Sequence, residues 1–323
     1  MRSVVCEKFG PPSTLKEVDV PTPQPGPNQV LVRVAATGIG FVDGLLIQGL
    51  YQVKPPLPFY PAGEYAGVVE AAGDACTHLS AGVRVFGTAN GALSDYVCVD
   101  EASCYRTPAG LPDADAAGLF INYLTAIYGL QDCGDLQSGE TVLVLGAAGG
   151  VGSAAIAVAR AMGATVIAAA STEAKRTAAR QAGAHAAVDY SAENWRDELK
   201  SILAGKPLNM VYDPVGGDLS ETALRCLSPG GRFLVVGFAS GTIARVPLNL
   251  PLLKRCSIVG VDWGGDARQN PEINIPLCAT LVDWIASEKL TPAPITIRSA
   301  DDFVQAFEDQ LAGTVLGKLV LTR

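Results

Sequence analysis

The segment from Thr141 to Ser171 constrains the fold of this chain more than any other. It begins with a short apolar run, Val142 to Leu145, which is typical of a parallel strand buried on both faces. The glycine-rich turn Gly146–Gly152 follows and leads into an alanine-rich stretch that predicts a helix to about Met162. A second apolar run then ends at Ala170. A strand, a glycine turn, a helix and a second strand are the opening of a dinucleotide-binding fold.

The glycine turn indicates where the phosphates of a dinucleotide bind. Gly149 lets the backbone approach a pyrophosphate closely, and Gly152 lets the helix pack tightly on the strand. The free N–H groups and the partial positive charge of the helix N-terminus favour that anion. Ala147 stands at the first glycine position of the usual GxGxxG pattern. The sequence therefore predicts a pyrophosphate site at this turn, with one glycine replaced.

The end of the second strand bears on which cofactor binds. NAD-binding folds commonly place an Asp or Glu there, about 20 residues beyond the turn, to bind the ribose 2′-OH. This chain has Ser171 instead, followed by Glu173, Lys175 and Arg176. A hydroxyl and two cations suit a 2′-phosphate, whereas Glu173 fits the first turn of the next helix, where acids complement the helix dipole. The pattern favours NADP(H) over NAD(H), although both cations could equally be solvated helix residues.

Length and composition exclude several classes of protein. At 323 residues the chain is long enough for two domains, and 49% hydrophobic with 17% charged residues predicts large buried cores. A net charge of −8 argues against a nucleic-acid surface as the main function. No apolar run reaches membrane-spanning length, and the first residues lack the apolar core of a signal peptide. We therefore expect a cytoplasmic protein without a membrane or nucleic-acid partner.

The cysteine and histidine content argues against a metal site. The eight cysteines are scattered and form no CxxC pair, and the chain has only two histidines, His78 and His185. A Cys/His cage is hard to assemble from such residues. We expect free, mostly buried thiols in a reducing compartment and no bound metal.

Two patterns of secondary structure divide the chain. Residues up to about 107 show short apolar strands between Pro/Gly-rich segments, whereas a helical stretch over 113–130 opens regular strand–helix alternation. The predicted strands are 30–34, 66–70, 83–86, 96–99, 142–145, 186–188, 209–212, 232–236, 257–261 and 318–321, with late helices near 276–288 and 301–312. Right-handed crossovers wind such alternation into a doubly wound parallel sheet, so we predict an α/β fold beside a mainly β region.

Eight stretches spread over nearly the whole length share one resemblance. They are MRSVVCEKFGPPSTL, GIGFVDGLLIQGLYQVKPPLP, PAGEYAGVV, NYLTAIYGL, VLVLGAAGGVG, YDPVGG, VVGFASG and GKLVL. Together they resemble the medium-chain dehydrogenase/reductase superfamily, and most closely its zinc-independent quinone oxidoreductase branch. The resemblance implies a GroES-like catalytic domain over 1–115, a Rossmann NADP-binding domain over 116–262, and a return to the catalytic domain over 263–323.

The resemblance also bears on the metal. Zinc-dependent relatives take zinc from a Cys in a G-I-C-G-x-D-like segment and a His in P-G-H-E, and Gly40 and Gly63 stand at those places here. The structural-zinc lobe with its four cysteines is missing as well. Without a Lewis acid to polarise an alcohol oxygen, reduction of an acceptor fits better than alcohol oxidation.

A set of cofactor contacts is implied by the same resemblance. Ala148, Gly149, Gly150, Val151 and Gly152 would face the pyrophosphate, Ser171, Lys175 and Tyr190 the 2′-phosphate and adenine, Gly237 and Phe238 the nicotinamide edge, Thr125 the active-site end, and Lys318 a phosphate. Several have plainer explanations: Tyr190 could cap a strand, Thr125 could be an interior helix hydroxyl, and Lys318 could be solvated. The turn 213–217 could bind ligand beyond a strand end or be an ordinary turn.

Two residues are implied on the substrate side. Tyr51 matches a tyrosine that lines the substrate pocket, where its OH would donate a hydrogen bond or proton, and a structural tyrosine is the alternative. Asp43 would orient neighbouring backbone. Gly40 departs from the quinone reductase branch, which often has Asn there, and so leaves the class of acceptor open.

The reaction implied is hydride transfer from NADPH to a quinone or to the β-carbon of an α,β-unsaturated carbonyl. An NADPH-dependent enoyl or acrylyl-type ene reductase is the alternative, and an NADPH-binding structural or regulatory protein is the alternative from another class. The partner is then a small-molecule quinone or enone. The family also implies a homodimer formed through the edge strand at 257–261.

Overall fold

A computed structural model describes residues 1–323, and the chain divides into two units. Unit 1 comprises Met1–Ile121 and Ile295–Arg323, and unit 2 comprises Asn122–Pro294. The strands are β1 (Arg2–Val5), β2 (Lys16–Asp19), β3 (Gln29–Ile39), β4 (Glu64–Ala72), β5 (Arg84–Thr88), β6 (Tyr96–Asp100), β7 (Cys104–Arg106), β8 (Thr141–Val144), β9 (Thr165–Ala169), β10 (Ala186–Val188), β11 (Met210–Asp213), β12 (Arg232–Val235), β13 (Ser257–Gly260), β14 (Ile295–Ser299) and β15 (Lys318–Thr322).

Eleven α-helices lie between these strands. They are α1 (Phe41–Gln48), α2 (Asp113–Ala116), α3 (Phe120–Ile127), α4 (Gly150–Ala161), α5 (Glu173–Gln181), α6 (Trp195–Leu203), α7 (Asp218–Cys226), α8 (Asn249–Lys254), α9 (Trp263–Gln269), α10 (Asn274–Ala286) and α11 (Phe303–Leu311). Short 3₁₀ turns occur at Pro12–Thr14, Glu101–Ser103, Pro271–Ile273 and Ala300–Asp302, and a π-helix at Tyr128–Cys133. No helix is both long enough and apolar enough to cross a lipid bilayer.

Unit 2 is built on a six-stranded sheet in the order β10-β9-β8-β11-β12-β13, and all its strand pairs are parallel. Every residue of β8 and of β11 is buried, as apolar strands covered on both faces should be. The chain leaves β8 toward one edge of the sheet and returns at β11 toward the other, which makes a switch point at the carboxyl ends of these strands. The predicted doubly wound α/β fold is confirmed.

Unit 1 is built on a seven-stranded sheet in the order β14-β15-β3-β4-β5-β7, with β6 also paired to β3. The eleven-residue strand β3 is antiparallel to β4, β6 and β15. Its alternate residues Val30, Val32 and Val34 point into the hydrophobic core of this unit. Because β15 pairs with β3, the last residues of the chain return to the sheet of unit 1, and Lys318 begins that strand.

The unit borders at 121/122 and 294/295 differ from the predicted domain borders at 115/116 and 262/263. Residues 263–294 belong to unit 2, where they form hydrogen bonds with the helical segment at the start of that unit. The Ala293 N–H donates to the Tyr123 hydroxyl at 2.7 Å, and the Tyr128 hydroxyl donates to Asp266. The helix predicted over 113–130 is also divided, into α2, α3 and the π-helix.

Helix α1 has no counterpart among the predicted elements. Gly44 stands in its middle and weakens its intrinsic helix propensity. A Cβ atom at Gly44 would lie 2.7 Å from the Leu311 Cδ2 atom, so the glycine is required by close packing of α1 on α11. Tertiary packing therefore stabilises helix α1, which the local sequence pattern does not predict.

Candidate functional site

The glycine turn after β8 is held by backbone hydrogen bonds that leave its apex open. Gly146 has φ of +57°, and its carbonyl accepts the Gly149 N–H at 3.0 Å. A Cβ atom at Gly152 would lie 2.3 Å from the Gly146 oxygen, so only glycine fits there. A Cβ atom at Gly149 would meet only that same oxygen, at 3.5 Å. Gly152 thus allows the helix to approach the strand, and Gly149 faces free space.

The substitution of alanine at the first fingerprint position is explained by this geometry. Ala147 is buried, and its N–H donates to the Ala169 carbonyl at 3.3 Å. The left-handed turn is made one residue earlier, by Gly146. Ala147 therefore needs no positive φ, and its methyl group packs into the interior.

The N-terminus of α4 presents free backbone donors. Its N-cap residue is Gly149, which has no side chain to accept a hydrogen bond, and the first turn carries no acidic residue. The first N–H groups of a helix have no partner within the helix, so those at Gly150 to Gly152 are available to an anion. By contrast, the Thr172 hydroxyl caps α5 by accepting the Lys175 N–H at 3.2 Å. The residues present at α4 fit a dinucleotide pyrophosphate.

Ser171, Lys175 and Tyr190 lie at the carboxyl ends of β9 and β10, which are neighbouring strands. Ser171 follows β9, and its carbonyl accepts the Ser191 hydroxyl at 3.3 Å, which joins the two strand ends. Lys175 is half-buried and forms no ion pair with another residue of the chain. The Tyr190 ring packs against the core of unit 2. The structure brings these three residues into one region, and their contacts with a cofactor stay a prediction.

The acidic and basic side chains next to Ser171 and Tyr190 form a network of ion pairs that the sequence did not predict. Arg176 pairs with Glu173 at 3.0 Å and with Asp189 at 2.7 Å, and Arg180 also pairs with Glu173, at 2.9 Å. Hydrogen bonds from Ser191 and the Arg176 guanidinium hold the pKa of Asp189 below its ordinary value. Arg180 and Arg176 do the same for the pKa of Glu173. The Asp189 partner could not be read from the sequence, because it depends on the pairing of β9 with β10.

The turn after β11 is organised by one buried carboxylate. Asp213 accepts the Val215 and Gly216 N–H groups at 2.8 and 2.9 Å and the Ser220 hydroxyl at 2.5 Å. Gly237 follows β12, and its N–H donates to the Asp213 carbonyl at 3.3 Å. An open cavity of about 980 Å³ lies beside this turn, but none of the predicted cofactor residues lines it. Asp213 therefore shapes the turn.

The remaining predicted residues of unit 2 lie on separate elements. Phe238 is partly exposed just after β12, at the carboxyl edge of the sheet. Thr125 is half-buried in α3. The roles of Thr125, Gly237 and Phe238 toward a nicotinamide stay predictions.

In unit 1, Asp43 holds the start of α1. Its Oδ2 atom accepts the Gly40 N–H at 2.7 Å, so the carboxylate caps the helix that it belongs to. Burial raises the pKa of Asp43 from 3.8 to about 6, Lys318 and the Gly40 N–H act in the opposite direction, and Glu64 adds to the rise. Tyr51 follows α1, is half-buried, and its hydroxyl has no hydrogen-bond partner within the chain.

A buried ion pair lies next to Asp43. The Lys318 Nζ atom donates to Glu64 Oε2, and the side chains are only 6% and 1% exposed. Glu64 Oε1 accepts the Ile121 N–H at 2.8 Å. The structure thus gives the Lys318 ammonium a carboxylate partner inside unit 1, and its predicted contact with a phosphate stays a prediction.

Gly40, which the resemblance places at the position of a zinc-ligating cysteine, borders this cluster. A Cβ atom at Gly40 would lie 3.3 Å from Asp43 Oδ2 and 3.8 Å from Lys318 Nζ. No group of three or more His, Cys, Asp or Glu side chains in the chain is placed to hold a metal ion. All eight cysteines are free thiols.

Comparison with known proteins places the chain in a family. Residues 26–112 match the family model of the alcohol dehydrogenase GroES-like domain, and residues 150–280 match that of the zinc-binding dehydrogenases. Quinone oxidoreductase-like protein 2 of Rattus norvegicus is 37% identical over 324 residues, which cover 99% of this chain and 92% of the rat protein.

Two solved structures match the chain over nearly its whole length. The Escherichia coli quinone oxidoreductase complexed with NADPH has a TM-score of 0.89 and 29% identity, and each chain is covered completely. The CurK enoyl reductase has a TM-score of 0.89 and 25% identity over 99% of this chain and 98% of its own. The chain belongs to the quinone oxidoreductase branch of the medium-chain dehydrogenase/reductase superfamily.

Proposed function

We propose that this chain is an NADPH-dependent quinone oxidoreductase, which transfers a hydride to a quinone or to an activated double bond. The observation that carries the proposal is the uncapped N-terminus of α4, reached through the turn Gly146–Gly152 at the switch point of a parallel sheet. Ser171 stands where NAD-binding folds commonly have an Asp or Glu, which supports NADPH over NADH. The names of the relatives supply the acceptor class.

The residues of unit 2 bind and orient the cofactor in this proposal. When bound, NADPH supplies the hydride. The α4 N–H groups from Gly150 to Gly152, with Ala148 and Gly149 beside them, bind the pyrophosphate. Ser171 and Lys175 bind the 2′-phosphate, and Tyr190 covers the adenine. Gly237, Phe238 and Thr125 border the nicotinamide.

The residues of unit 1 act on the substrate. The Tyr51 hydroxyl has no partner within the chain, so it is free to donate a hydrogen bond to a substrate oxygen, where negative charge develops during reduction. Asp43 is a positioning residue, because its carboxylate holds the Gly40 backbone.

A screen of acceptors with NADPH and NADH tests the function. Steady-state turnover is measured with 1,4-quinones, simple enones and acyl-CoA enones. Deuterated NADPH shows whether hydride arrives at an alkene carbon, which would favour the ene reductase alternative. The similarity to the CurK enoyl reductase supports that alternative, and Gly40, which stands where the quinone branch often has Asn, leaves the class of acceptor open. Turnover of any acceptor would refute a purely structural or regulatory role.

Replacing Lys175 by alanine is expected to weaken NADPH binding more than tenfold, because a charge-assisted contact contributes about 1.5–3 kcal/mol. NADH has no 2′-phosphate, so its affinity should be unchanged. Both dissociation constants are measured by titrating nicotinamide fluorescence. Lys200→Ala, an exposed lysine of the same unit, is the control. Equal NADPH affinity in Lys175→Ala and the parent chain would contradict the assignment.

The homodimer is proposed to form through β13, one of the two edge strands of the sheet of unit 2. Ile258 on β13 is 41% exposed, and three leucines at the start of α8 or within it, Leu248, Leu252 and Leu253, are 74–83% exposed. Exposed apolar side chains next to an open strand edge favour pairing with a second copy. Light scattering should show a dimer at micromolar concentration and a monomer for Ile258→Glu. Ile297→Glu, at 55% exposure on the edge strand β14, should remain dimeric.

The cytoplasm is the compartment we propose. The support is the set of eight free thiols, since a reducing compartment keeps cysteines in that form. Fractionation of the native cells, with antibody detection, tests it.

A further inference from the structure

Two carboxylates lie where the 2′-phosphate of NADPH is proposed to bind. Glu173 is two residues beyond Ser171, and Asp189 directly precedes Tyr190. A phosphate monoester carries up to two negative charges, so an uncompensated carboxylate close to it weakens binding. A site with this composition needs cations to neutralise its own acids before it can prefer NADPH.

Arg176 is the one cation that forms an ion pair with both acids. Its Nε atom donates to Glu173 at 3.0 Å, and its Nη1 atom lies 2.7 Å from Asp189 Oδ2. Nη1 also donates to the Ala170 carbonyl at 3.2 Å, next to Ser171. The side chain is only 14% exposed. The planar guanidinium fork, unlike a lysine ammonium, can join three such acceptors at once.

The other cations of α5 are arranged differently. Arg180 pairs with Glu173 only, so Asp189 depends on Arg176 for its ion pair. Lys175 forms no ion pair within the chain, and its charge is available to a ligand. The helix therefore separates two tasks: Lys175 is left for the ligand, while Arg176 and Arg180 neutralise the acids of the site.

We propose that Arg176 determines the preference for NADPH by neutralising Asp189 and, together with Arg180, Glu173. It is a positioning residue, while Lys175 is the cation that contacts the phosphate. The inference rests on the proposed use of NADPH and names the residue that sets it. The ligand chemistry it selects is a ribose 2′-phosphate.

The first experiment compares NADPH and NADH dissociation constants, measured by fluorescence titration, in the parent chain, Arg176→Gln and Arg180→Gln. Arg176→Gln should raise the NADPH constant at least about tenfold and change the NADH constant little, so the preference falls by a similar factor. Arg180→Gln removes the same charge one turn further along α5, but leaves Asp189 paired. It should keep the preference of the parent chain.

A rescue experiment separates neutralisation from a structural role or direct phosphate contact. In Arg176→Gln/Asp189→Asn the uncompensated carboxylate is gone, so most of the lost NADPH affinity should return. If the double variant remains as weak as Arg176→Gln, the proposal is overturned. Should Arg176→Gln fail to fold, Asp189→Asn alone decides: NADPH affinity equal to or above that of the parent supports the proposal, and a tenfold loss overturns it.

Failure of this inference differs from failure of the proposed function. A parent chain that binds neither nucleotide, or prefers NADH, refutes the proposed use of NADPH and this inference with it. A parent chain that prefers NADPH, with the same preference in Arg176→Gln, refutes the role of Arg176 alone.

Discussion

Replacing Lys318 by methionine is expected to lower the free energy of unfolding of unit 1 by about 3–5 kcal/mol, the usual cost of breaking a buried ion pair from one side. Methionine keeps most of the aliphatic chain but removes the ammonium. Glu64, at 1% exposure, would then keep only the Ile121 N–H as a partner. The buried Asp43 carboxyl nearby would lose an attractive cation as well.

Hydrogen exchange read by mass spectrometry on peptides from β3 and β15 measures this loss where it occurs. Tryptophan fluorescence does not report it, because all three tryptophans of the chain, Trp195, Trp263 and Trp284, lie in unit 2. Lys54→Met makes the same change at an exposed lysine of unit 1 and should stay within about 0.5 kcal/mol of the parent.

A second variant tests whether the loss comes from an unpaired charge. Glu64→Gln/Lys318→Met removes both charges and should be more stable than Lys318→Met alone, because no buried carboxylate is left without its cation. Equal protection of β3 and β15 in Lys318→Met and the parent chain would show that the pair contributes nothing to unit 1.

The architecture of unit 2 could be predicted from the sequence because its signals are local. Apolar strands, a glycine turn and helical periodicity each lie within a few residues, and most predicted strands agree with the structure to within one or two residues. The exception at Ala147 is local too: its explanation is the positive φ of the residue before it.

The charge network and the buried ion pair could not be predicted for the opposite reason. Glu64 and Lys318 are 254 positions apart, and only the return of β15 to β3 brings them together. From the sequence Arg176 is a candidate ligand of a phosphate, because its partner Asp189 lies 13 residues away, just after the neighbouring strand β10. A cation near a predicted anion site is therefore ambiguous until its partners in the fold are known.

The stability of unit 1 is expected to fall as pH rises from about 4 to about 6, through the titration of Asp43. Burial raises the pKa of this carboxyl from 3.8 to about 6 in the folded chain. The folded state thus binds the proton more tightly than the unfolded state between these values, and stability declines until the pH passes the folded pKa. The full difference corresponds to about 3 kcal/mol.

Asp43→Asn isolates the contribution of Asp43 titration to the stability of unit 1, because an amide oxygen can still accept the Gly40 N–H but does not titrate. The difference in unfolding free energy between the variant and the parent should move by about 2.4 kcal/mol in favour of the variant between pH 4 and pH 7. Exchange protection of β3 and β15 is measured across that range, with Asp74→Asn as an exposed control in the same unit. Parallel pH profiles for Asp43→Asn and the parent chain would mean that Asp43 ionises as an ordinary carboxyl.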